Sequence, residues 1–233
     1  TATVQPGVVL DSVNGPARRD HGLAFGPDPS THSHCTFGGM IGNNSCGVHS
    51  VIAGHTSDNV ISMEVLTSDG HRLRVGPTDD LDRLAREDGR TGEIYAGLRD
   101  ITRRYGRQIG SRFPDIPRRV SGYNLPALLA ADCNVAQSLV GSEGTCATVL
   151  EATVRLVDWP TERALLVLGY PSICEAADDV VDALEADPMG LEGLDDRLVQ
   201  FMRIKGLHPR DIEILPRGKG WLLVEFGGRT REE

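Results

Sequence analysis

The chain has 233 residues, with 24 lysines and arginines against 33 aspartates and glutamates, a formal net charge of −9, and 39% apolar residues. That apolar share can build a core without metals or disulfides, and the acidic balance argues against a nucleic-acid surface, which needs a basic patch. It does not exclude an acidic substrate, because a few local arginines can hold a carboxylate inside an acidic protein.

The 5 cysteines, Cys35, Cys46, Cys133, Cys146 and Cys174, are odd in number and widely spaced. With no Cys-x-x-Cys, they read as reduced thiols, and no metal site is expected. No apolar run reaches the length of a membrane span, and no signal-peptide pattern opens the chain. A cytoplasmic address is the expectation, with peripheral association at a membrane left open. The chain starts at Thr1 without methionine and stops in the charged stretch Arg229 to Glu233, so both ends are expected to be cut.

From Gly22 to Gly47, glycine, proline and small polar residues dominate, which predicts a long loop-rich segment with a binding role. Asn59 to Leu66 reads as a strand, Ser68-Asp69-Gly70 as a tight turn, and His71 to Val75 as the returning strand. Glu93 to Arg107 fits an amphipathic helix, with Ile94, Leu98, Ile101 and Tyr105 inward and Arg99, Arg103 and Arg104 on a solvated face. A proline-broken loop, Phe113 to Pro117, leads into Arg118-Arg119-Val120-Ser121-Gly122-Tyr123-Asn124-Leu125. A short helix around Asn134 to Leu139 comes next, then Gly141-Ser142-Glu143-Gly144-Thr145. The run Ala147 to Val157 is rich in β-branched residues and reads as a strand.

A boundary near Asp158-Trp159-Pro160-Thr161 predicts two domains, 1–159 and 160–233. Beyond it, Ala164 to Tyr170 reads as an apolar strand. Ser172 with Glu175 forms a capping box for a helix expected to bury Ile173, Ala176, Ala177, Val180, Val181 and Leu184. A strand at Met189 to Leu194, a helix from Asp195 to Ile204 and a strand at Trp221 to Phe226 complete a small layer. The predicted fold class is α+β.

The strongest local signal is Thr36-Phe37-Gly38-Gly39-Met40-Ile41-Gly42-Asn43-Asn44-Ser45-Cys46-Gly47. Glycines and small polar residues let a backbone approach a ligand closely and turn its N–H groups inward, which suits a pyrophosphate or the polar edge of a planar ring. The run lacks both the G-x-G-x-x-G spacing and the lysine of a P-loop. In Gly141 to Thr145, a backbone turn could meet an adenine or ribose, with Glu143 either accepting hydrogen bonds or capping the turn. Two glycine-rich segments flanking a hairpin point to one large cofactor.

Six motifs occur in order: His21-Gly22-Leu23, Gly26-Pro27-Asp28-Pro29-Ser30, Gly38 to Gly47, Asp58-Asn59-Val60, Ser121 to Leu125, and Gly141 to Thr145. The chain thereby resembles the FAD-linked oxidases of the vanillyl-alcohol oxidase / p-cresol methylhydroxylase superfamily, on the branch of D-lactate, glycolate and D-2-hydroxyglutarate dehydrogenases. The variant Gly-Gly-Met-Ile-Gly-Asn-Asn-Ser-Cys-Gly, followed by Ala53-Gly54-His55-Thr56, looks most like a long subgroup fused to a C-terminal iron–sulfur module.

The resemblance implies an FAD-binding domain, incomplete at its N-terminus, plus the first part of an α/β cap. It implies that Pro27, Thr36, Gly38, Gly39, Asn43, Asn44 and Gly47 line the pyrophosphate and isoalloxazine, and that Glu143 and Gly144 reach the adenosine end. Arg118, Arg119 and Tyr123 are the substrate-side candidates. Relatives usually carry an apolar residue where Thr148 stands, and many carry glycine where Cys46 stands. Cys46 and His55 are read as an unreactive thiol and a loop histidine, not as covalent flavin attachments. A family phosphate loop would precede Val4, and the catalytic residues, a metal-binding histidine pair and a basic residue, would lie beyond Glu233. No catalytic residue is assigned within the chain.

The implied activity of the intact protein is oxidation of a D-2-hydroxy acid of the D-lactate, glycolate or D-2-hydroxyglutarate type, with electrons passing from reduced flavin to an acceptor, an iron–sulfur module being the expected one. The chain alone is expected to lack FAD, to be inactive and to self-associate as a homo-oligomer through apolar surface. Two other readings are an oxidoreductase of another alcohol on the same scaffold, and an interaction domain that has lost its cofactor.

Overall fold

The computed structural model describes residues 1–78, 80–130 and 133–232. They divide into two compact units: Thr1–Gly47 with Ala53–Val157, and Val48–Ile52 with Asp158–Glu233.

In the first unit, strands β1 (Ala2–Val4), β3 (Val60–Leu66), β4 (Arg72–Val75) and β5 (Thr148–Val154) form an antiparallel sheet in the order β1-β5-β3-β4, apart from the two-residue β2 (Leu23–Ala24). The β3–β4 hairpin turns where the sequence predicts, because Gly70 (φ 83°) accepts the left-handed conformation that the turn requires. Met63, Val65, Leu73, Val75, Ala152 and Val154 point to one face, the alternation expected of a half-buried sheet. On that face sits the main core, in which Leu10, Phe25, Phe37, Met40, Ile41 and Val140 are at most 2% exposed. Phe25 and Phe37 meet edge to face, with centroids 5.2 Å apart.

The predicted helix at 93–107 is longer, Gly89–Arg112, and of its expected inward face Ile94 and Leu98 pack on the core. Tyr95 and Ile109 are buried, whereas Tyr105 is 50% exposed. A side chain at Gly106 would come within ordinary contact, 3.5 Å, of Leu129. The arginine face is solvated as predicted, with Arg103 2.8 Å and Arg99 3.6 Å from Asp82, and Arg104 3.2 Å from Asp100.

Beyond the two-residue β6 (Val157–Asp158), the second unit holds β7 (Glu162–Tyr170), β8 (Gly190–Asp195) and β9 (Gly220–Gly228), antiparallel with β9 central. No described strand runs through Pro160. Ser172 caps its helix as predicted, accepting from the Glu175 amide at 3.3 Å, and its hydroxyl also reaches the Glu175 carboxylate at 3.1 Å. The helix itself differs. It breaks at Asp179 into Ile173–Asp178 and Val180–Glu185, and only Ala176 of the expected apolar stripe is buried. Ala176 packs on Leu222 and Val224 of β9, while Val181 is 68% exposed. Helix Asp196–Lys205 is capped by Asp195, which accepts from Leu198 N at 2.7 Å, and ends at left-handed Gly206 (φ 66°). Trp221 closes a second small core with Val199 and Ile212, donating its indole N–H to Pro216 O at 2.8 Å. No helix among the described residues is long and apolar enough to cross a membrane.

Candidate functional site

The glycine run predicted as a loop is a helix, Phe37–Asn43. Three features overcome its poor propensity. Thr36 caps its start, with Oγ1 accepting from Gly39 N at 3.3 Å. Asn44, in the left-handed region (φ 51°), ends it. Phe37, Met40 and Ile41 bury one face. Gly38 and Gly42, four residues apart, lie elsewhere on its surface, Gly38 covered by Pro6 and Gly42 left open. The inward-turned amides expected of a loop are absent from its first turn. Phe37 N donates to Val8 O at 3.0 Å, Gly38 N to Pro6 O at 2.8 Å, and Met40 N to Thr36 O at 2.9 Å. The helix start is thus already satisfied by the chain, and what it offers a ligand is close approach at Gly42.

The second glycine segment lies directly against this helix. Gly141 N donates to Ile41 O at 2.8 Å, and Glu143 N donates to Gly42 O at 3.0 Å, so the turn fills carbonyls that a helix end leaves open. Left-handed conformations at Gly141 (φ 87°), Glu143 (φ 51°) and Gly144 (φ 73°) make this docking possible. Between the two segments is a cleft of about 260 Å³, lined by Pro6, Gly38, Gly42, Ser142, Gly144 and Thr148 among others. A Cβ at Gly144 would meet nothing within 4 Å, and one at Gly42 nothing closer than 3.7 Å. Backbone is therefore open to a ligand on both walls.

The other predicted site residues divide by role. Gly39 and Asn43 are exposed. Pro27 is buried, and Asn44, 3% exposed, accepts from Ser57 N at 2.9 Å, so both hold the frame. A Cβ on Gly47 would collide with the Asp28 carbonyl, and one on Gly38 would lie 2.7 Å from Pro6 Cβ. Tyr123 Oη bonds Thr145 Oγ1 at 2.9 Å, Arg118 donates to Gly47 O at 3.4 Å, and Arg119 donates to Asn124 Oδ1 at 3.2 Å. His55 bonds Asp58 through both its backbone N (2.8 Å) and Nδ1 (3.1 Å). Sequence reasoning missed Pro6 as a cleft wall, although Gln5-Pro6-Gly7 marks a turn. It also missed His49. In the second unit His49 is 4% exposed and 3.1 Å from Glu225, which also accepts from Arg163 at 3.1 Å, and its ring meets Trp159 edge-on at 4.9 Å. Among the described residues no group of three His, Cys, Asp or Glu side chains could hold a metal.

Open backbone on both walls and no charged side chain in the lining allow close approach of a flat ligand. Residues 1–76 match the FAD binding domain family. The chain is 32% identical over 202 residues to a D-2-hydroxyglutarate dehydrogenase of Pseudomonas putida, covering 85% of this chain and 20% of that protein. It is 34% identical over 198 residues to the glycolate oxidase subunit GlcD of Bacillus subtilis, covering 84% of this chain and 32% of the relative. With a D-lactate dehydrogenase of Archaeoglobus fulgidus the figures are 30% over 196 residues, 84% and 33%. Structures of alkyldihydroxyacetonephosphate synthase share the fold, with a TM-score of 0.57 at 18% identity over 97% of this chain and 34% of theirs. Residues 1–76 thus carry the match to an FAD binding domain, and over about 84% of its length the chain is similar to these three relatives. It spans between 20% and 33% of the length of these three curated relatives.

Proposed function

We propose that the first unit supplies one wall of the FAD site of an oxidoreductase acting on a small 2-hydroxy acid of the D-2-hydroxyglutarate, D-lactate or glycolate type. The observation that carries this reading is the hydrogen-bonded meeting of helix Phe37–Asn43 with the Gly141–Thr145 turn, in a chain that matches the FAD binding domain. The cofactor would lie along Gly38, Gly39, Gly42 and Asn43, with Glu143 and Gly144 toward the adenosine end. Thr36, Pro27, Asn44 and Gly47 keep that surface in place. The chemistry FAD supplies when bound is acceptance of a hydride equivalent from the substrate α-carbon. This chain's residues contribute shape, close approach and exclusion of water, and Tyr123 fixes the turn through Thr145. The electron acceptor in this reading is an iron–sulfur module, and the protein is a cytoplasmic homo-oligomer.

The test is FAD titration of the full-length protein and its Gly39→Leu variant, followed by flavin fluorescence and absorbance. Gly39 is exposed and its Cβ position touches only Thr36 Oγ1, at 3.4 Å, so the substitution leaves the apo fold intact while blocking ligand approach. At least about a tenfold loss of affinity with unchanged melting is expected. Equal FAD affinity in parent and variant would overturn the assignment.

A further inference from the structure

We propose that the cleft bounded by Arg112, Arg118 and Arg119 in the first unit is an oxyanion site, taking the carboxylate or phosphate group of a small organic anion. It is separate from the glycine cleft and requires no flavin.

The sequence sets up the charge. From Ser111 to Asn124 there are three arginines and one acid, Asp115, in a chain whose net charge is −9. Local structure brings the arginines together. Helix Gly89–Arg112 stops at extended Phe113 (φ −70°, ψ 127°), and Pro114 and Pro117 prevent it from resuming. The chain bends round a cleft of about 350 Å³ lined by these arginines with Phe113, Ile116 and Val120. The lining combines cationic and apolar side chains, the composition of a site for an anion with a carbon skeleton.

Arg119 is held in place before any ligand arrives. It is half-buried, its guanidinium lies 5.5 Å from the Phe113 ring centroid, and it donates to Asn124 Oδ1 at 3.2 Å. Asn124 is itself fixed by donating to Gln137 O at 3.1 Å. Arg118 is anchored at one nitrogen by Gly47 O, 3.4 Å away. A guanidinium has five N–H donors in a rigid fork, so both retain donors for a ligand, and the rotamer entropy of Arg119 is already spent.

The charge of this group is uncompensated. Among the described residues no carboxylate lies within ion-pair distance of Arg112, Arg118 or Arg119, although Arg99, Arg103 and Arg104 each have one. Asp115 pairs with none of the three. Stacking and a neutral amide orient Arg119 without neutralising it, and a partly desolvated cation gains most from an oxyanion that uses the fork bidentately. A small anion supplies what the fold leaves out.

The experiment is calorimetric titration of the flavin-free chain at low ionic strength with 2-hydroxyglutarate and, separately, inorganic phosphate. Saturable binding of at least one is expected, weakened about tenfold or more by Arg119→Gln, less by Arg119→Lys, and unaffected by Arg104→Gln on the solvated helix face. Binding of the dicarboxylate alone assigns the site to carboxylates, and of phosphate alone to phosphate esters. Absence of saturation with both, or equal losses in Arg104→Gln and Arg119→Gln, overturns the proposal. Arg112→Gln, on an exposed side chain, repeats the test should Arg119→Gln fail to fold. Since no flavin is present, failure here is distinct from failure of the FAD reading.

Discussion

Gly47→Ala is the sharpest test of how the glycine segment is framed. The added methyl would overlap the carbonyl of Asp28 and approach Pro29 N at 2.8 Å. Neither obstacle is the end of a flexible side chain, so the backbone at 28–29 must withdraw from a segment rooted in buried Phe25 and Pro27. Forcing volume into such a contact costs about 3 kcal/mol or more, against about 0.4–1 kcal/mol recovered from the stiffer unfolded chain. At roughly 2–4 °C per kcal/mol for a chain of this size, the melting temperature should fall by roughly 5–10 °C. Gly39→Ala is the control. Its only neighbour is Thr36 Oγ1 at 3.4 Å, and alanine inside a helix gains about 0.5–1 kcal/mol over glycine. Thermal unfolding followed by circular dichroism compares the two. If Gly47→Ala melts within about 2 °C of the parent, Gly47 is not closed against Asp28.

Three further predictions test other parts of the structure. Asn134→Ala should cost about 2–3 kcal/mol in denaturant titration, since its buried side chain accepts from Ala136 N (2.9 Å) and Gln137 N (3.3 Å) and donates to Ile61 O (3.1 Å); a loss below about 0.5 kcal/mol would contradict those bonds. Burial raises the Cys35 thiol above its ordinary pKa, and only the thiolate reacts. Its alkylation, read by mass spectrometry, should therefore still be climbing at a pH where an unstructured cysteine peptide has levelled off, and the reverse order would sink the assignment. For His49, a double-mutant cycle of His49→Leu with Glu225→Gln should give a coupling of about 1 kcal/mol or more, and an additive cycle would show the 3.1 Å contact to be idle.

The strands could be read because their signals are local: the β3–β4 hairpin turns on Gly70, and β7 and β9 are apolar runs between turn residues. The helix at 37–43 could not, because three of its seven residues are glycine and only its caps and a buried face make it helical. The stripe from Ile173 to Leu184 failed for the opposite reason. Its periodicity is helical, yet a break at Asp179 and packing through Ala176 leave most of it exposed. At the site, the residue types were legible but their division of labour was not. Gly38, Gly39 and Gly47 look alike in sequence, while in space one lines a cleft, one faces solvent and one is closed against a carbonyl. The Arg118-Arg119 pair was visible, but the sequence could not say that Arg112 would join it, because that depends on where the long helix stops.

The placement of Val48–Ile52 with the second unit also bears on how the chain is made. His49 leaves the ribosome 176 residues ahead of Glu225, the partner on β9 that it finally meets. At about 5–20 residues per second, that interval is roughly 10–35 s. During it the short strap is already made, while the sheet that receives it does not yet exist. Residues from 158 onward therefore do not make up the second unit by themselves. A single crossover at residue 158 would separate His49 from Glu225, so exchange of this unit between related genes needs two coordinated breakpoints.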